Sequence, residues 1–223
     1  MLKLLNVKKF YRIAGIKKTI LEDITLEIKH GEIISLTGKS GSGKTTLLNI
    51  ISGLTKPSGG DVYFDDKKIK YFLDIIPSRM RCRKIGFIFQ TFRLLPGETT
   101  WSNVLLPARI LGRINHKTVE YADALLQKLG LSEYKFSRAA LLSGGQKQRA
   151  ALARALINDP DIILADEPTA NLDNETANEI HNFLQNLARE GKSVLVVTHN
   201  DFMFSLSDRI YALNNGLLEK MRT

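Results

Sequence analysis

The spacing of apolar residues changes along the chain, and each spacing predicts a different kind of element. The segments LKLLNVKKF and ILEDITLEI alternate between apolar and polar residues, which is typical of half-buried strands. In the second segment the apolar residues of one parity are Ile20, Ile24, Leu26 and Ile28. Near the C-terminus, RIYALNNGLLEKM predicts a hairpin around Asn215-Gly216.

Four short apolar runs, EIISLT, KIGFIFQ, DIILADE and KSVLVVTH, predict buried strands. Helical spacing lies between them: TTLLNIIS ends at Gly53, residues 91–159 are mainly helical, and a further amphipathic helix carries Ala177, Ile180, Leu184 and Leu187. Buried strands that alternate with helices indicate an α/β fold with a mainly parallel sheet. We expect one domain over residues 1–223. Its core would comprise residues 1–90 and 160–223 with an N-terminal antiparallel β subdomain, and residues 91–159 would form an inserted helical subdomain.

Composition narrows the choice of partners. The chain has 32 Lys and Arg against 23 Asp and Glu, a net charge of +9, which favours polyanionic partners but also fits a soluble protein with a basic face. A single cysteine, Cys82, excludes an intrachain disulfide and favours a reducing cytosol. We find no signal peptide and no segment apolar enough to span a bilayer.

The stretch TGKSGSGKTTLL, from Thr37 to Leu48, places glycines and lysines between a predicted strand and a predicted helix. It fits the pattern G-x-x-x-x-G-K-[ST] of a phosphate-binding loop, whose main-chain N–H groups and helix N-terminus bind phosphate oxygens. Lys44 would reach the β- and γ-phosphates, and the Thr45 hydroxyl would bind Mg²⁺. The predicted nucleotide-binding residues here are Gly38, Lys39, Ser40, Gly41, Ser42, Gly43, Lys44, Thr45 and Thr46.

Two adjacent carboxylates, Asp166 and Glu167, end the predicted strand IILADE. Ligands collect at this carboxyl edge of a parallel sheet. Because neighbouring residues at a strand end point in different directions, one carboxylate could hold Mg²⁺ while the other addresses the attacking water.

A second anion site is predicted in LLSGGQKQRAALARAL. Ser143 resembles an N-cap, and Gly144 and Gly145 leave main-chain N–H groups open at the start of a helix. One nucleotide does not obviously need two such sites in one chain.

Taken together, these motifs resemble the nucleotide-binding subunit of ABC transporters, over essentially the whole chain. The motifs that carry the resemblance are the phosphate loop, Gln90, LSGGQ (142–146), ILADEP (163–168), NLD (Asn171 to Asp173) and His199. The resemblance implies an ATPase with a P-loop NTPase core, with ATP and Mg²⁺ as its ligands. It also implies a head-to-tail homodimer that encloses two ATP molecules, which would explain the second anion site.

The resemblance also assigns roles to individual residues. Glu167 would be the general base, His199 the γ-phosphate switch, and Gln90 a catalytic residue that also contacts the metal held by Asp166 and Thr45. Tyr11 would lie against the adenine ring. The residues that would face the partner subunit's nucleotide are Ser143, Gly144, Gly145, Gln146 and Asp173.

Within the family, FIFQTFRLLPGETTWSNVLLP and ADEPTANLD look most like the lipoprotein-releasing and macrolide-exporter group. This implies a subunit on the cytoplasmic face of the inner membrane that drives a separate membrane permease. The apolar stretch from Gln90 to Pro107 lies beside a catalytic glutamine, so we expect it to form a groove for a permease helix, with some of its residues packed inside the subdomain. Two alternatives are an ATPase that acts without transport, as in the cell-division relatives, and a DNA-repair or translation factor. The second usually carries a long coiled-coil insertion or a second ATPase domain, and this chain has neither, so we expect no specific nucleic-acid partner.

Overall fold

The computed structural model describes residues 1–71, 81–170 and 172–221 of the 223-residue chain. Asn171, which belongs to the predicted NLD motif, lies outside the described residues. The predicted α/β fold is confirmed, with a mainly parallel central sheet, a second antiparallel sheet and flanking helices.

The central sheet has six strands in the order β10-β9-β3-β8-β7-β6. Its strands are β3 (Ile33–Thr37), β6 (Ile85–Ile88), β7 (Ile162–Asp166), β8 (Ser193–Val197), β9 (Arg209–Asn214) and β10 (Leu217–Lys220). All neighbouring pairs are parallel except β9 and β10, which form the predicted hairpin at Asn215-Gly216. Strands β3, β7 and β8 lie at the centre, so their carboxyl ends meet at one edge of the sheet.

The second sheet has the order β2-β1-β4-β5, and its pairings are antiparallel. Its strands are β1 (Leu2–Ile13), β2 (Ile16–Ile28), β4 (Gly59–Phe64) and β5 (Lys67–Lys68). The predicted antiparallel β subdomain is therefore confirmed.

One detail of strand β2 differs from the predicted alternation. Val7 pairs with Ile24 and Lys9 with Leu21, so β2 contains one extra residue at a bulge where Asp23 has φ of 58°. Because the bulge changes the parity, Leu21 is fully buried and Ile20 is only half-buried.

The helices surround the central sheet. The α-helices that lie wholly within the described residues are α1 (Lys44–Ile51), α2 (Thr100–Ile110), α3 (His116–Lys128), α4 (Gly144–Leu156), α5 (Asn174–Arg189) and α6 (Asp201–Ser205). Side chains cap the starts of five of them, from Thr99 at α2 to Asn200 at α6, whereas α1 begins at Gly43 without a side-chain cap.

The core consists of two clusters, one on each face of the central sheet. On β7, Ile162 and Leu164 face the cluster that contains α1 and the antiparallel sheet, whereas Ile163 and Ala165 face the cluster of α2 to α5. This division follows the period of two in a strand that is buried on both faces. Within the described residues, no helix is both long and apolar enough to cross a bilayer.

Candidate functional site

The loop between β3 and α1 brings main-chain groups together around a concave centre. Gly38 has φ of 142°, and a Cβ atom there would lie 2.3 Å from the carbonyl oxygen of Leu213, so glycine is required by space as well as by conformation. Gly43 has φ of 109°, and a Cβ there would press on Ile20 and Leu21. An uncapped helix start with no acidic residue in its first turn presents open N–H donors to an anion.

Lys44 places its positive charge over this loop. Its Nζ donates to the carbonyl oxygens of Gly38 at 2.5 Å and Lys39 at 3.1 Å. The ammonium group therefore lies where a phosphate bound in the loop would be within its reach, which fits the predicted nucleotide.

Thr45 and Asp166 form the candidate metal position. The Thr45 hydroxyl donates to Oδ2 of Asp166 at 3.0 Å, which brings the first turn of α1 to the end of β7. Burial raises the pKa of the Asp166 carboxyl above its usual value, and the Thr45 hydrogen bond and the charge of Lys44 oppose part of that rise.

A hydroxyl and a carboxylate are oxygen ligands of the kind that Mg²⁺ prefers, with phosphate and water completing the coordination. In the described part of the chain, no group of three or more His, Cys, Asp or Glu forms a cage for a metal ion. The residues therefore fit a Mg²⁺ ion that arrives with a nucleotide better than one held by protein alone.

Glu167 begins the loop after β7 and has a different partner from Asp166. Its φ of 47° lies in the left-handed region, so the backbone turns sharply at this residue. Oε1 of Glu167 lies 3.5 Å from Nε2 of His199, and Nδ1 of His199 lies 3.2 Å from the hydroxyl of Thr37. Burial raises the pKa of the Glu167 carboxyl, whereas His199 and Lys44 lower it.

These groups share one cleft of about 350 Å³, a volume within the range of about 300–1,000 Å³ that is usual for small-molecule sites. The residues that line it are Ile20, Ser40, Gly41, Gly43, Lys44, Thr45, Thr46, Gln90, Asp166, Glu167, Val197 and His199. The structure thus brings together most of the phosphate loop, both carboxylates, Gln90 and His199. Of the remaining loop residues, Gly38 and Lys39 bind the Lys44 ammonium, and the hydroxyl of Ser42 is buried without a hydrogen-bond partner in the described part of the chain.

The second predicted anion site is separate from this cleft. Ser143 caps α4: its hydroxyl accepts from the N–H of Gln146 at 3.3 Å, and the Gln146 side chain accepts from the N–H of Ser143 at 2.8 Å. This confirms the predicted N-cap as a reciprocal capping box. Ser143 and Gly144 are exposed, so this helix start faces solvent in the single chain.

Asp173 lies beside this second site. It caps α5 by accepting from both the N–H and the hydroxyl of Thr176, at 2.9 Å each. A Cβ atom on Gly145 would lie 3.2 Å from the Thr176 methyl group, so the starts of α4 and α5 are in close contact. The structure therefore groups Gly145 and Asp173, which are 28 positions apart, on one surface.

Tyr11 does not line the cleft that the described residues form. It is 42% exposed near the tip of the β1-β2 hairpin, opposite Lys18, with the ammonium of Lys9 4.8 Å from its ring centre. Its role at the adenine ring remains a prediction.

The sequence patterns did not identify three contributions to the cleft. Thr37 orients His199, and Ile20 and Val197 form part of the wall. Thr37 ends a buried strand next to the phosphate loop, and a polar residue in that position is the one available signal. No local signal identifies Ile20, because the β2 bulge determines which way it faces.

Comparison with known proteins agrees with this geometry. The sequence profile of the ABC transporter family matches residues 21–170. The lipoprotein-releasing system ATP-binding protein LolD of Saccharophagus degradans is 40% identical over 220 residues, covering 98% of this chain and 96% of that protein. LolD of Francisella tularensis is 41% identical, covering 96% of this chain and 94% of the relative.

One relative is much longer than this chain. The macrolide export ATP-binding/permease protein MacB of Syntrophobacter fumaroxidans is 39% identical over 98% of this chain, but the chain spans only 31% of the length of that protein.

Two solved structures are similar over the full length. The dimeric structure of MJ0796, described as a bacterial ABC transporter cassette, has a TM-score of 0.90 and 40% identity and covers 100% of both chains. A second MJ0796 dimer, in a post-hydrolysis state bound to ADP and Pi, has the same TM-score, identity and coverage. Because the family profile covers more than half of the chain and relatives near 40% identity cover nearly all of it, the chain belongs to the ABC transporter family and is an ATP-binding cassette with ATPase activity.

Proposed function

We propose that the chain is the ATP-hydrolysing subunit of a membrane complex, that it dimerises around two Mg²⁺-ATP, and that it drives a separate permease. The observation that carries the proposal is the division of the predicted site into two parts. The hydrolytic groups share one cleft, whereas the LSGGQ helix start is exposed elsewhere on the same chain. Two copies related head to tail would join each part to its complement.

In the hydrolytic half, each side chain has a task that suits its contacts. Glu167 accepts a proton from the attacking water, because it lies in the cleft with Lys44 and is the carboxylate not bonded to Thr45. His199 responds to the γ-phosphate, and its hydrogen bond with the Thr37 hydroxyl, which fixes the ring, supports this role. Thr45 and Asp166 would hold Mg²⁺, which would supply positive charge next to the phosphates.

In the other half, the N–H groups at the start of α4 complete the partner's site. Their position at a helix N-terminus suits the γ-phosphate of a nucleotide bound to the other subunit. The similarity to MJ0796, which is described as dimeric, supports this arrangement.

A largely apolar groove next to Gln90 supports the proposal that the chain binds a membrane permease. The groove holds about 200 Å³ between β6 and α4, and its lining includes Leu54, Phe87, Phe89, Arg93 and Pro107. The rings of Phe87 and Phe89 stack with centres 4.1 Å apart, and Phe89 directly precedes Gln90. A helix docked here would therefore lie next to a residue of the ATP cleft.

Part of the predicted groove-forming stretch packs inside the helical segment, as expected. Val104 and Leu105 are buried in the core, because they lie on the face of α2 that packs against the other helices. Arg93 and Pro107 are the residues of that stretch that reach the groove, and Leu54 and strand β6 supply much of the rest.

The similarity to LolD and MacB suggests lipoprotein release or export, or force transmission to a protein across the membrane, with the cassette peripheral on the cytoplasmic face of the inner membrane. The experiment is to purify the tagged chain from membranes of its own cells and identify co-purified integral membrane proteins. We expect a permease to be retained by the wild type and lost with Leu54→Asp, while ATP binding is unchanged.

Leu217→Asp is the matched control, because Leu217 is 47% exposed and Leu54 is 44% exposed, and Leu217 lies on β10 at the opposite edge of the sheet from β6. The control should retain the permease. Recovery of no membrane protein, together with ATPase activity that nucleic acid stimulates in a salt-sensitive way, would favour the DNA-repair or translation factor instead.

A further inference from the structure

Arg154 is a charged side chain that is largely withdrawn from solvent, at the base of the groove between β6 and α4. It lies on α4 among buried alanines and leucines and is itself only 9% exposed. Burial lowers the pKa of its guanidinium to about 10, with the nearby charge of Arg93 acting in the same direction. A buried cation is costly unless it is paired or well hydrogen-bonded, so its partners matter.

Those partners are main-chain carbonyls of the loop that follows Gln90. Nη2 of Arg154 donates to the oxygen of Phe92 at 2.7 Å, and Nη1 donates to the oxygen of Arg93 at 2.5 Å. Among the ion pairs of the described residues, none includes Arg154. The guanidinium therefore binds backbone and not a carboxylate.

The loop that Arg154 holds has an uncommon conformation. Phe92 and Arg93 are consecutive left-handed residues, with φ of 59° and 47°, and neither is glycine or asparagine. Such conformations persist where surrounding contacts enforce them. The two hydrogen bonds from the planar guanidinium of Arg154 hold the first half of the loop in this conformation.

A second buried side chain holds the rest of the loop to a different helix. Asn103 on α2 accepts from the N–H of Leu95 at 2.7 Å and donates to the oxygens of Leu95 and Thr99 at 3.1 and 2.9 Å. The backbone after Gln90 is thus tied to α4 through Arg154 and to α2 through Asn103.

Helix α4 extends from Arg154 to the exposed LSGGQ start. Ser143 and Arg154 are eleven positions apart, a distance of roughly 16 Å along a helix that rises 1.5 Å per residue. A continuous helix of this length moves as one body, so a shift at its start moves the guanidinium at its end.

We propose that Arg154 is a positioning residue that couples the two nucleotide sites through one subunit. It ties the helix that faces the partner's ATP to the loop that positions Gln90 at the subunit's own ATP. Binding of the partner's nucleotide at the start of α4 then sets the position of Gln90 through the carbonyls of Phe92 and Arg93. This role rests on the proposed function, because it requires the head-to-tail dimer.

The test compares Arg154→Met and Arg154→Lys with Arg149→Met. Arg149 is on the same helix and forms a partly exposed ion pair with Glu179 at 3.4 Å, so it controls for loss of charge from α4. The first measurement is hydrogen exchange of amides in residues 91–99 of the nucleotide-free chain. Arg154→Met should accelerate exchange there by about tenfold or more without changing the central strands, and Arg149→Met should match the wild type.

The second measurement separates binding from turnover. Arg154→Met should lower kcat by about tenfold or more and abolish cooperativity in ATP, while ATP Kd stays within about threefold. Arg154→Lys should fall between it and the wild type, because an ammonium group lacks the fork that binds both carbonyls. Arg154→Lys also serves as the test variant if Arg154→Met does not fold.

If hydrogen exchange in residues 91–99 is unchanged in both Arg154 variants, Arg154 does not hold this loop and the proposal is overturned. Faster exchange throughout the core, with kcat, ATP affinity and melting temperature falling together, would reduce Arg154 to a packing role and overturn the coupling. Failure of the wild type to dimerise with ATP would instead overturn the proposed function, and the exchange measurement on the single chain separates the two failures.

Discussion

Oε1 of Glu167 lies 3.5 Å from Nε2 of His199, and the hydroxyl of Thr37 holds the other nitrogen of the same ring. The Glu167 side chain is 20% exposed and that of His199 is 57% exposed. The carboxylate is thus partly withdrawn from water while the imidazole remains accessible. Glu167 follows β7, His199 follows β8 and Thr37 ends β3, so these contacts connect the carboxyl ends of the three strands.

The rate of ATP hydrolysis should decline in acid with a midpoint above 4.5, the ordinary pKa of a glutamic acid. Burial raises the pKa of Glu167, and a general base works only when ionised, so activity is present above that pKa and is lost as the pH falls through it. His199→Ala removes a group that lowers this pKa, so the midpoint of the residual rate should move to higher pH. The measurement is kcat/KM against pH.

His116→Ala is the control for this shift, because His116 is exposed and pairs with Glu120 on α3 at 3.3 Å. Its profile should coincide with that of the wild type. A midpoint that stays in place in His199→Ala would contradict the electrostatic link between His199 and Glu167.

Glu167→Gln should retain ATP and Mg²⁺ binding and lose nearly all turnover. The amide is close in shape to the carboxylate but cannot accept the proton of the attacking water, and general bases contribute roughly 10²–10⁴-fold to rates. ATP should then hold the variant as a dimer in size-exclusion chromatography. Normal turnover by this variant would remove Glu167 from the role of base.

Lys44→Ala and Ser143→Arg should each be inactive alone but should recover part of the activity when mixed. Lys44 belongs to the cleft and Ser143 to the separate α4 start, so a mixed dimer contains one site in which both residues are intact. The measurement is the ATPase rate of the mixture against each variant alone. A mixture as inactive as its components would argue against sites shared between subunits.

Tyr11→Ala should weaken ATP binding by about 1 kcal/mol, the magnitude of an aromatic stacking pair. Stacking depends on the flat face of the base and not on its hydrogen-bonding edge. Because adenine and guanine are both flat rings, GTP should replace ATP with a modest loss of affinity. Tyr134→Ala is the matched control, because Tyr134 is 37% exposed and Tyr11 is 42% exposed, and Tyr134 lies in the helical segment between α3 and α4. Equal affinities for the wild type and Tyr11→Ala would leave Tyr11 with a packing role only.

The sequence by itself determined the features that depend on neighbouring residues. The glycines around Lys44, the strand end at Asp166 and the cap at Ser143 arise within a few positions of each other, so local pattern and spacing identify them. The resemblance to a known family then identified Gln90 and His199, which no local pattern assigns to the site. The structure placed both in the cleft with the phosphate loop.

The tertiary structure alone decided which distant groups touch. The contact between Glu167 and His199 depends on the order β3-β8-β7, and the period of a strand carries no information about which strand lies beside it. The bulge at Asp23 decided that Leu21 is buried in place of Ile20. Arg154 appears in the sequence as one arginine in an apolar run, and only folding shows that its partners are two carbonyls about sixty positions away. A buried cation must find acceptors wherever packing supplies them, and packing is a property of the whole chain.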